Sequence, residues 1–128
     1  MKRTNIHAVA DVHIEAPFGI EEELSWFYVE VGNLQAVEPN PPDQAKLCFK
    51  SGRLKLHICL TENPQIEPIA CRVTLLVPSL PGTEELLDEH GLAYERLSGM
   101  MWTDLRVLVN DPAGNCVELK QEWPYAPL

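Results

Sequence analysis

Four ionisable side chains occupy matching positions in strand-like segments of the chain, namely His13, His57, Arg72 and Glu118. Imidazole and carboxylate groups carry lone pairs and exchange protons, whereas a guanidinium is a fixed positive charge that only donates hydrogen bonds. A set of this kind, placed on one surface, is suited to holding a small polar molecule. The four side chains can form such a site only if the fold brings them together.

Alternation of apolar and polar residues separates two faces of each predicted strand. In the segment from residue 53 to 60, His57 lies on the face opposite Leu54, Leu56, Ile58 and Leu60. The same parity predicts that the helices cover a set of apolar residues in the other strands: Val12, Ile14, Val73, Leu75, Val77, Val117 and Leu119. His13, His57, Arg72 and Glu118 then share the open face.

Two halves of the chain repeat one order of elements. Strands are predicted at 8–16, 34–38, 45–50 and 53–60 with a helix at 20–31, and then at 69–77, 93–97, 102–109 and 116–121 with a helix at 82–90. Gly32 follows His13 by the same 19 residues that separate Gly91 from Arg72. We predict an α+β fold in which two β-α-β-β-β half-repeats, about 8–60 and 69–121, form a cupped mixed sheet with helices on its outer face.

Composition sets limits on the class of protein. The 128 residues fit a single domain, and 45% hydrophobic and 23% charged residues are typical of a globular chain. A net charge of −9 argues against nucleic acid and anionic membranes as partners, because both repel a negative surface. No segment is apolar enough to predict a membrane span.

The N-terminal segment and the cysteines indicate the compartment. The first seven residues contain Lys2 and Arg3 without the apolar stretch of a secretory signal, so we predict a cytoplasmic protein. The four cysteines, at 48, 59, 71 and 116, are spread singly along the chain rather than in closely spaced pairs. We expect them to be reduced thiols.

The chain resembles the vicinal oxygen chelate superfamily, which includes glyoxalases, extradiol dioxygenases, fosfomycin-resistance enzymes and bleomycin-binding proteins. The resemblance spans nearly the whole chain. The segments that carry it are Asp11-Val12-His13-Ile14, Trp26-Phe27-Tyr28-Val29-Glu30-Val31-Gly32, Leu56-His57-Ile58 and Asp111-Pro112-Ala113-Gly114-Asn115-Cys116-Val117-Glu118-Leu119.

The resemblance implies that His13, His57 and Glu118 are metal ligands, with Glu118 as the catalytic carboxylate. Arg72 stands at the fourth position, where a guanidinium has no lone pair to donate, so it departs from the glyoxalase pattern. Two histidines and a carboxylate leave open positions on a divalent ion such as iron, manganese, zinc or nickel. Arg72 would then bind an anionic group of the substrate.

Simpler roles remain open for the same residues. In this alternative, the side chains of the open face are only solvated and Glu118 forms an ion pair with Arg72. Arg106 and Trp102 share the inward parity of the seventh strand, which predicts a second anion-binding group and an aromatic wall, although core packing explains Trp102 equally well.

Two classes of function therefore follow. The ligand set favours a metal-dependent lyase, isomerase or dioxygenase acting on a small oxygen-rich substrate. Arg72 favours a metal-free protein that binds a drug or metabolite, as bleomycin-binding proteins do. The resemblance also implies a homodimer, because many members of the superfamily form their pockets between subunits.

Overall fold

The structure, a computed structural model, describes residues 10–52, 54–66, 68–99 and 105–122. The first half contains β1 (Ala10–Ala16), α1 (Glu21–Trp26), a π-helical segment (Phe27–Val31), β2 (Gln35–Val37), β3 (Lys46–Ser51) and β4 (Leu54–Leu60). The second half contains β5 (Val73–Val77), α2 (Leu80–Glu89), β6 (Tyr94–Leu97), β7 (Arg106–Asn110) and β8 (Cys116–Gln121). Both halves have the predicted order, and the α+β class is confirmed.

Hydrogen bonding divides the strands into two four-stranded sheets of the same topology. Their orders are β1-β4-β3-β2 and β5-β8-β7-β6. In each sheet the first and last strands of the half pair in parallel, and the remaining neighbours are antiparallel. The prediction of a mixed sheet built from two equivalent halves is therefore confirmed, with β1 and β5 as equivalent edge strands.

The helices begin and end where local sequence favours it. Glu21, Glu22 and Glu23 occupy the first turn of α1, where negative charge is favoured by the helix dipole. Asn33 ends this helical region with a positive φ of 61°. The helix α2 starts two residues earlier than predicted, because the Ser79 side chain accepts a hydrogen bond from the Gly82 amide and a proline fits the first turn.

A common core joins the helices of both halves to one face of each sheet. The predicted core positions of β4, β5 and β8 are buried, apart from the partly buried Leu54, so the strand parity is confirmed. Gly32 packs against the second half so closely that a Cβ atom there would lie 2.7 Å from Leu75 Cδ1. The two halves therefore stabilise one another through apolar contact.

The turn between β7 and β8 also binds the two halves together. The buried Tyr28 hydroxyl donates to Asp111 Oδ2 at 2.6 Å, and the Asn115 side chain donates to the Glu15 carbonyl at 2.9 Å. The Asp111 carboxylate also accepts from the amides of Ala113 and Asn115. The motif that carried the sequence resemblance thus has a structural role between the halves.

The cysteines are not all free thiols, and the sequence expectation is wrong for two of them. Cys71 and Cys116 form a disulfide that joins the residues leading into β5 to the start of β8, whereas Cys48 and Cys59 are free. Cys71 lies two residues before β5 and Cys116 begins β8, and these two strands are parallel neighbours. No helix among the described residues is long and apolar enough to span a membrane.

Candidate functional site

The open face of the first half holds a pair of stacked imidazoles. His13 on β1 and His57 on β4 are register partners in the parallel pair. Their ring centroids are 4.4 Å apart and the ring planes differ by only 8°. His13 is exposed, whereas only 18% of the His57 side chain is accessible. The two histidines predicted to share a site are therefore neighbours.

Both ring nitrogens of His57 already have protein partners. The Asp11 carboxylate can only accept, so His57 Nε2 carries the proton and donates to Asp11 Oδ1 at 3.1 Å. Nδ1 then accepts from the Cys48 thiol, whose sulfur lies 3.5 Å away. Burial raises the pKa of Cys48, an effect opposed by the nearby charges of Lys46 and Lys55. The imidazole is thereby fixed in one tautomer and orientation.

Sequence reasoning missed Asp11 and Cys48 as parts of this cluster. Asp11 precedes His13 by two residues and so shares its face of β1, while Cys48 is the β3 partner of His57. The first relation is visible in the sequence as period-two alternation. The second depends on the pairing of β3 with β4, which alternation alone does not define.

The open face of the second half is organised around Glu118. Its Oε1 accepts from the Thr74 hydroxyl at 3.1 Å, and its Oε2 accepts from Arg106 NH1 at 3.1 Å. The Glu118 side chain is mostly covered and the Arg106 side chain is 40% exposed. Arg106 Nε is buried and has no hydrogen-bond partner in the described part of the chain. Glu118 therefore forms an ion pair with Arg106, a pairing that the sequence analysis did not predict.

Thr74, and not Arg72, is the counterpart of His13. Thr74 is the register partner of Glu118, just as His13 is the partner of His57, whereas Arg72 precedes β5. The counterpart of His13 was located by counting residues back from the end of each helix, and this count gave Arg72. The count is wrong because the first half has a longer connection before its helix and one more residue within its helical region. Asn33 follows His13 by 20 residues, but Gly91 follows Thr74 by 17.

Arg72 nevertheless lies near the first imidazole. It lines a small cavity of about 70 Å³ together with His13, Asn115 and Cys116. The two sheets thus approach one another beside β1, and His13 faces the same space as Arg72. Trp102 falls outside the described residues, so its predicted place in the pocket stays a prediction.

The implied metal does not fit these side chains as they are arranged. A metal ion lies close to the plane of each imidazole that binds it, about 2.0–2.1 Å from the nitrogen. Nearly parallel stacked rings have no common point of this kind, and neither nitrogen of His57 keeps a free lone pair. The Arg106 charge beside Glu118 would also repel a cation. Across residues 10–52, 54–66, 68–99 and 105–122, no three His, Cys, Asp or Glu side chains are grouped to hold a metal.

A larger cavity lies beside the first-half polar face, at the edge of its sheet. It has a volume of about 710 Å³ and extends from Ser25 on α1 to the loop between β2 and β3. Lys46 and Cys48 form part of its wall, and the Cys48 thiol contacts His57. Its volume falls in the range of small-molecule sites.

Comparison with solved structures identifies the fold. A glyoxalase family protein from Bacillus anthracis matches 95% of this chain and 100% of its own, with 24% identity and a TM-score of 0.74. The fosfomycin resistance protein FosX from Listeria monocytogenes matches 93% and 96%, with 11% identity and a TM-score of 0.69. TnmS3, an antibiotic binding protein from Streptomyces sp. CB03234, matches 94% and 100%, with 20% identity and a TM-score of 0.62.

The chain therefore has the vicinal oxygen chelate fold, as the sequence resemblance predicted. No protein-family model matches the sequence, and no curated protein sequence matches it. Identities of this size establish the fold alone, since one scaffold hosts unrelated functions. The activity has to be argued from the side chains.

Proposed function

We propose that the chain is a small-molecule binding protein that holds an oxygen-rich ligand without a metal ion. The observation that carries the proposal is the Arg106 guanidinium, which belongs to an arginine side chain that is 40% exposed on the open face of the second half. A planar guanidinium is a hydrogen-bond donor suited to the oxygen atoms of a ligand. Glu118 holds the guanidinium in place through NH1.

The surrounding polar groups suit a ligand that both donates and accepts hydrogen bonds. Thr74 and Glu118 supply oxygen atoms beside Arg106, and Arg72 adds a positive charge next to His13. TnmS3, which shares the fold, is described as an antibiotic binding protein, and this supports a binding role for the scaffold.

We propose that the protein acts as a homodimer. The open faces of both halves carry exposed groups, and Leu76, which shares the open face of β5 with Thr74, is 54% exposed. Covering such a face with a second copy would bury apolar surface and enclose the polar groups. Sedimentation should then give a particle near twice the chain mass of 14.4 kDa. A monomer at micromolar concentration would contradict the dimer.

A binding screen with chelator-treated protein tests the metal-free ligand. Thermal shift against a panel of oxygen-rich aromatic acids and antibiotics should yield ligands whose affinity is unchanged by EDTA. Arg106→Lys should weaken binding of any such ligand by about tenfold, because lysine keeps the charge but loses the planar donor fork. Arg96→Lys is the matched control, since Arg96 pairs with Glu84 rather than with the site.

Two results of that screen would refute the proposal. One is that every ligand found loses its affinity after EDTA and regains it with added metal. The other is that Arg106→Lys binds as tightly as the unchanged protein. Equal losses in the Arg106 and Arg96 variants would also count against it, because they would indicate a general effect on the fold.

A second candidate is a metal-dependent lyase, isomerase or dioxygenase. The specific observation in its favour is the matched register of the pairs His13 with His57 and Thr74 with Glu118 on equivalent strands. This candidate requires His57 to release Asp11 and Cys48 and to rotate out of its stack with His13. It predicts one metal ion per site in protein purified without a histidine tag, and a lower content in Glu118→Gln with Glu30→Gln as the exposed control.

A further inference from the structure

A third cavity lies beside the helices and shares no lining residue with the two cavities described above. It has a volume of about 450 Å³ and is bounded by α1, by the segment after α2 and by the turn after β7. Because these elements come from both halves of the chain, the cavity lies at their junction. Its volume falls in the range of small-molecule sites.

The wall of this cavity is aromatic and apolar. Trp26 and His90 lie with their ring centroids 4.4 Å apart and their planes inclined by 42°. Leu92 and Pro112 line the same space. An indole ring in such a wall offers a large surface to another ring and attracts a cation held over its face.

The charged groups of the cavity all have one sign. Glu22 and Glu23 are exposed on α1 and line it, and Asp111 contributes a buried carboxylate to the wall. Asp111 is already hydrogen-bonded by Tyr28 and by backbone amides, so it adds negative potential rather than a binding partner. No Lys or Arg is among the described residues that line the space. An anionic ligand would be repelled there, and an organic cation would be attracted.

His90 adds a hydrogen-bond acceptor to this wall. The Leu86 carbonyl lies 3.0 Å from His90 Nδ1 and can only accept, so Nδ1 carries a proton. In a neutral ring, Nε2 then keeps its lone pair and accepts from a donor. A protonated amine is such a donor.

We infer that this cavity binds an aromatic ammonium ion, with the ammonium group near Glu22 and Glu23 and the ring against Trp26 and Leu92. The site is separate from the proposed metal-free ligand site on the sheets and does not depend on it. The ring of such a ligand matches the apolar wall, and its positive charge matches the rim carboxylates of Glu22 and Glu23.

Titration calorimetry with three probes of similar shape tests the inference on the full chain. The phenethylammonium ion should bind, whereas 2-phenylethanol and 3-phenylpropionate should bind more weakly because they lack the positive charge. The affinity for phenethylammonium should fall as sodium chloride is raised, because the rim carboxylates are exposed to screening.

The double variant Glu22→Gln, Glu23→Gln should weaken phenethylammonium binding by about threefold to tenfold, as expected for two exposed carboxylates. Both residues are exposed, so the variant should fold normally. Glu85→Gln, which neutralises an exposed glutamate of α2 outside the cavity, is the matched control and should change nothing.

The inference is overturned if 2-phenylethanol binds as tightly as phenethylammonium, or if the double variant keeps the original affinity. Absence of phenethylammonium binding up to millimolar concentration would also overturn it. A ligand of the sheet site should bind the double variant normally, so failure here and failure of the proposed function are distinguishable.

Discussion

Replacing Tyr28 with phenylalanine removes one hydrogen bond between the two halves and leaves the packing intact. Tyr28 is fully buried, and its hydroxyl donates to the 4% exposed Asp111 carboxylate at 2.6 Å. A hydrogen bond to a charged group contributes about 1.5–3 kcal/mol to stability. Asp111 keeps donors from Ala113 and Asn115, so its carboxylate is not left unpaired. We expect the free energy of unfolding to fall by about 2 kcal/mol, near the lower end of that range.

The effect of this variant should depend on pH in a defined direction. Burial, followed by the charge and hydrogen bond of Asp111, raises the pKa of Tyr28 well above its ordinary value of 10.0. The folded protein therefore holds the phenolic proton at a pH where the unfolded chain loses it. This contribution to stability is complete below pH 10 and is lost as the pH rises toward the folded pKa. The stability difference between the unchanged protein and Tyr28→Phe should shrink above pH 10.

Urea unfolding followed by circular dichroism at pH 8 and at pH 10.5 measures both effects. Tyr94→Phe is the control at pH 8, because it removes a phenol that is not in the core and should cost less stability. The reasoning is refuted if Tyr28→Phe is as stable as the unchanged protein at pH 8. It is also refuted if the difference between the two grows above pH 10.

Two other substitutions test the contact between the halves and the covalent link. Gly32→Ala should destabilise the fold by about 1–3 kcal/mol in urea unfolding, because the added Cβ would lie 2.7 Å from Leu75 Cδ1 and 2.8 Å from the Tyr28 carbonyl oxygen. An unchanged unfolding midpoint would contradict that contact. Cys71→Ser removes the disulfide to Cys116 across 45 residues and should cost up to about 4 kcal/mol, with a reducing agent giving the same loss in the unchanged protein. A midpoint insensitive to both treatments would contradict the disulfide.

The strand faces were predictable because alternation is a local property. A period of two assigns every side chain of a strand to one face, and a single buried run such as Leu56, Ile58 and Leu60 defines the parity of β4. The turn residues Asn33 and Gly91 were also predictable, since both adopt positive φ values at helix ends. These rules placed His13, His57 and Glu118 correctly on open faces.

Features that depend on pairing between distant segments were not predictable. The equivalence of Thr74 with His13 depends on the register of β5 with β8, and residue counting through helical regions of unequal length gave Arg72 instead. The link between Cys71 and Cys116 depends on β5 and β8 being neighbouring strands. The orientation of the His57 ring depends on Asp11 and Cys48, which lie on two other strands.

The metal content of untagged protein is the most direct test of the proposed metal-free site. Elemental analysis after dialysis against micromolar zinc, manganese and ferrous iron should find far less than one metal ion per chain, because Asp11 and Cys48 hold both nitrogens of His57. One ion per chain that is lost when Glu118 is replaced with glutamine would contradict the account.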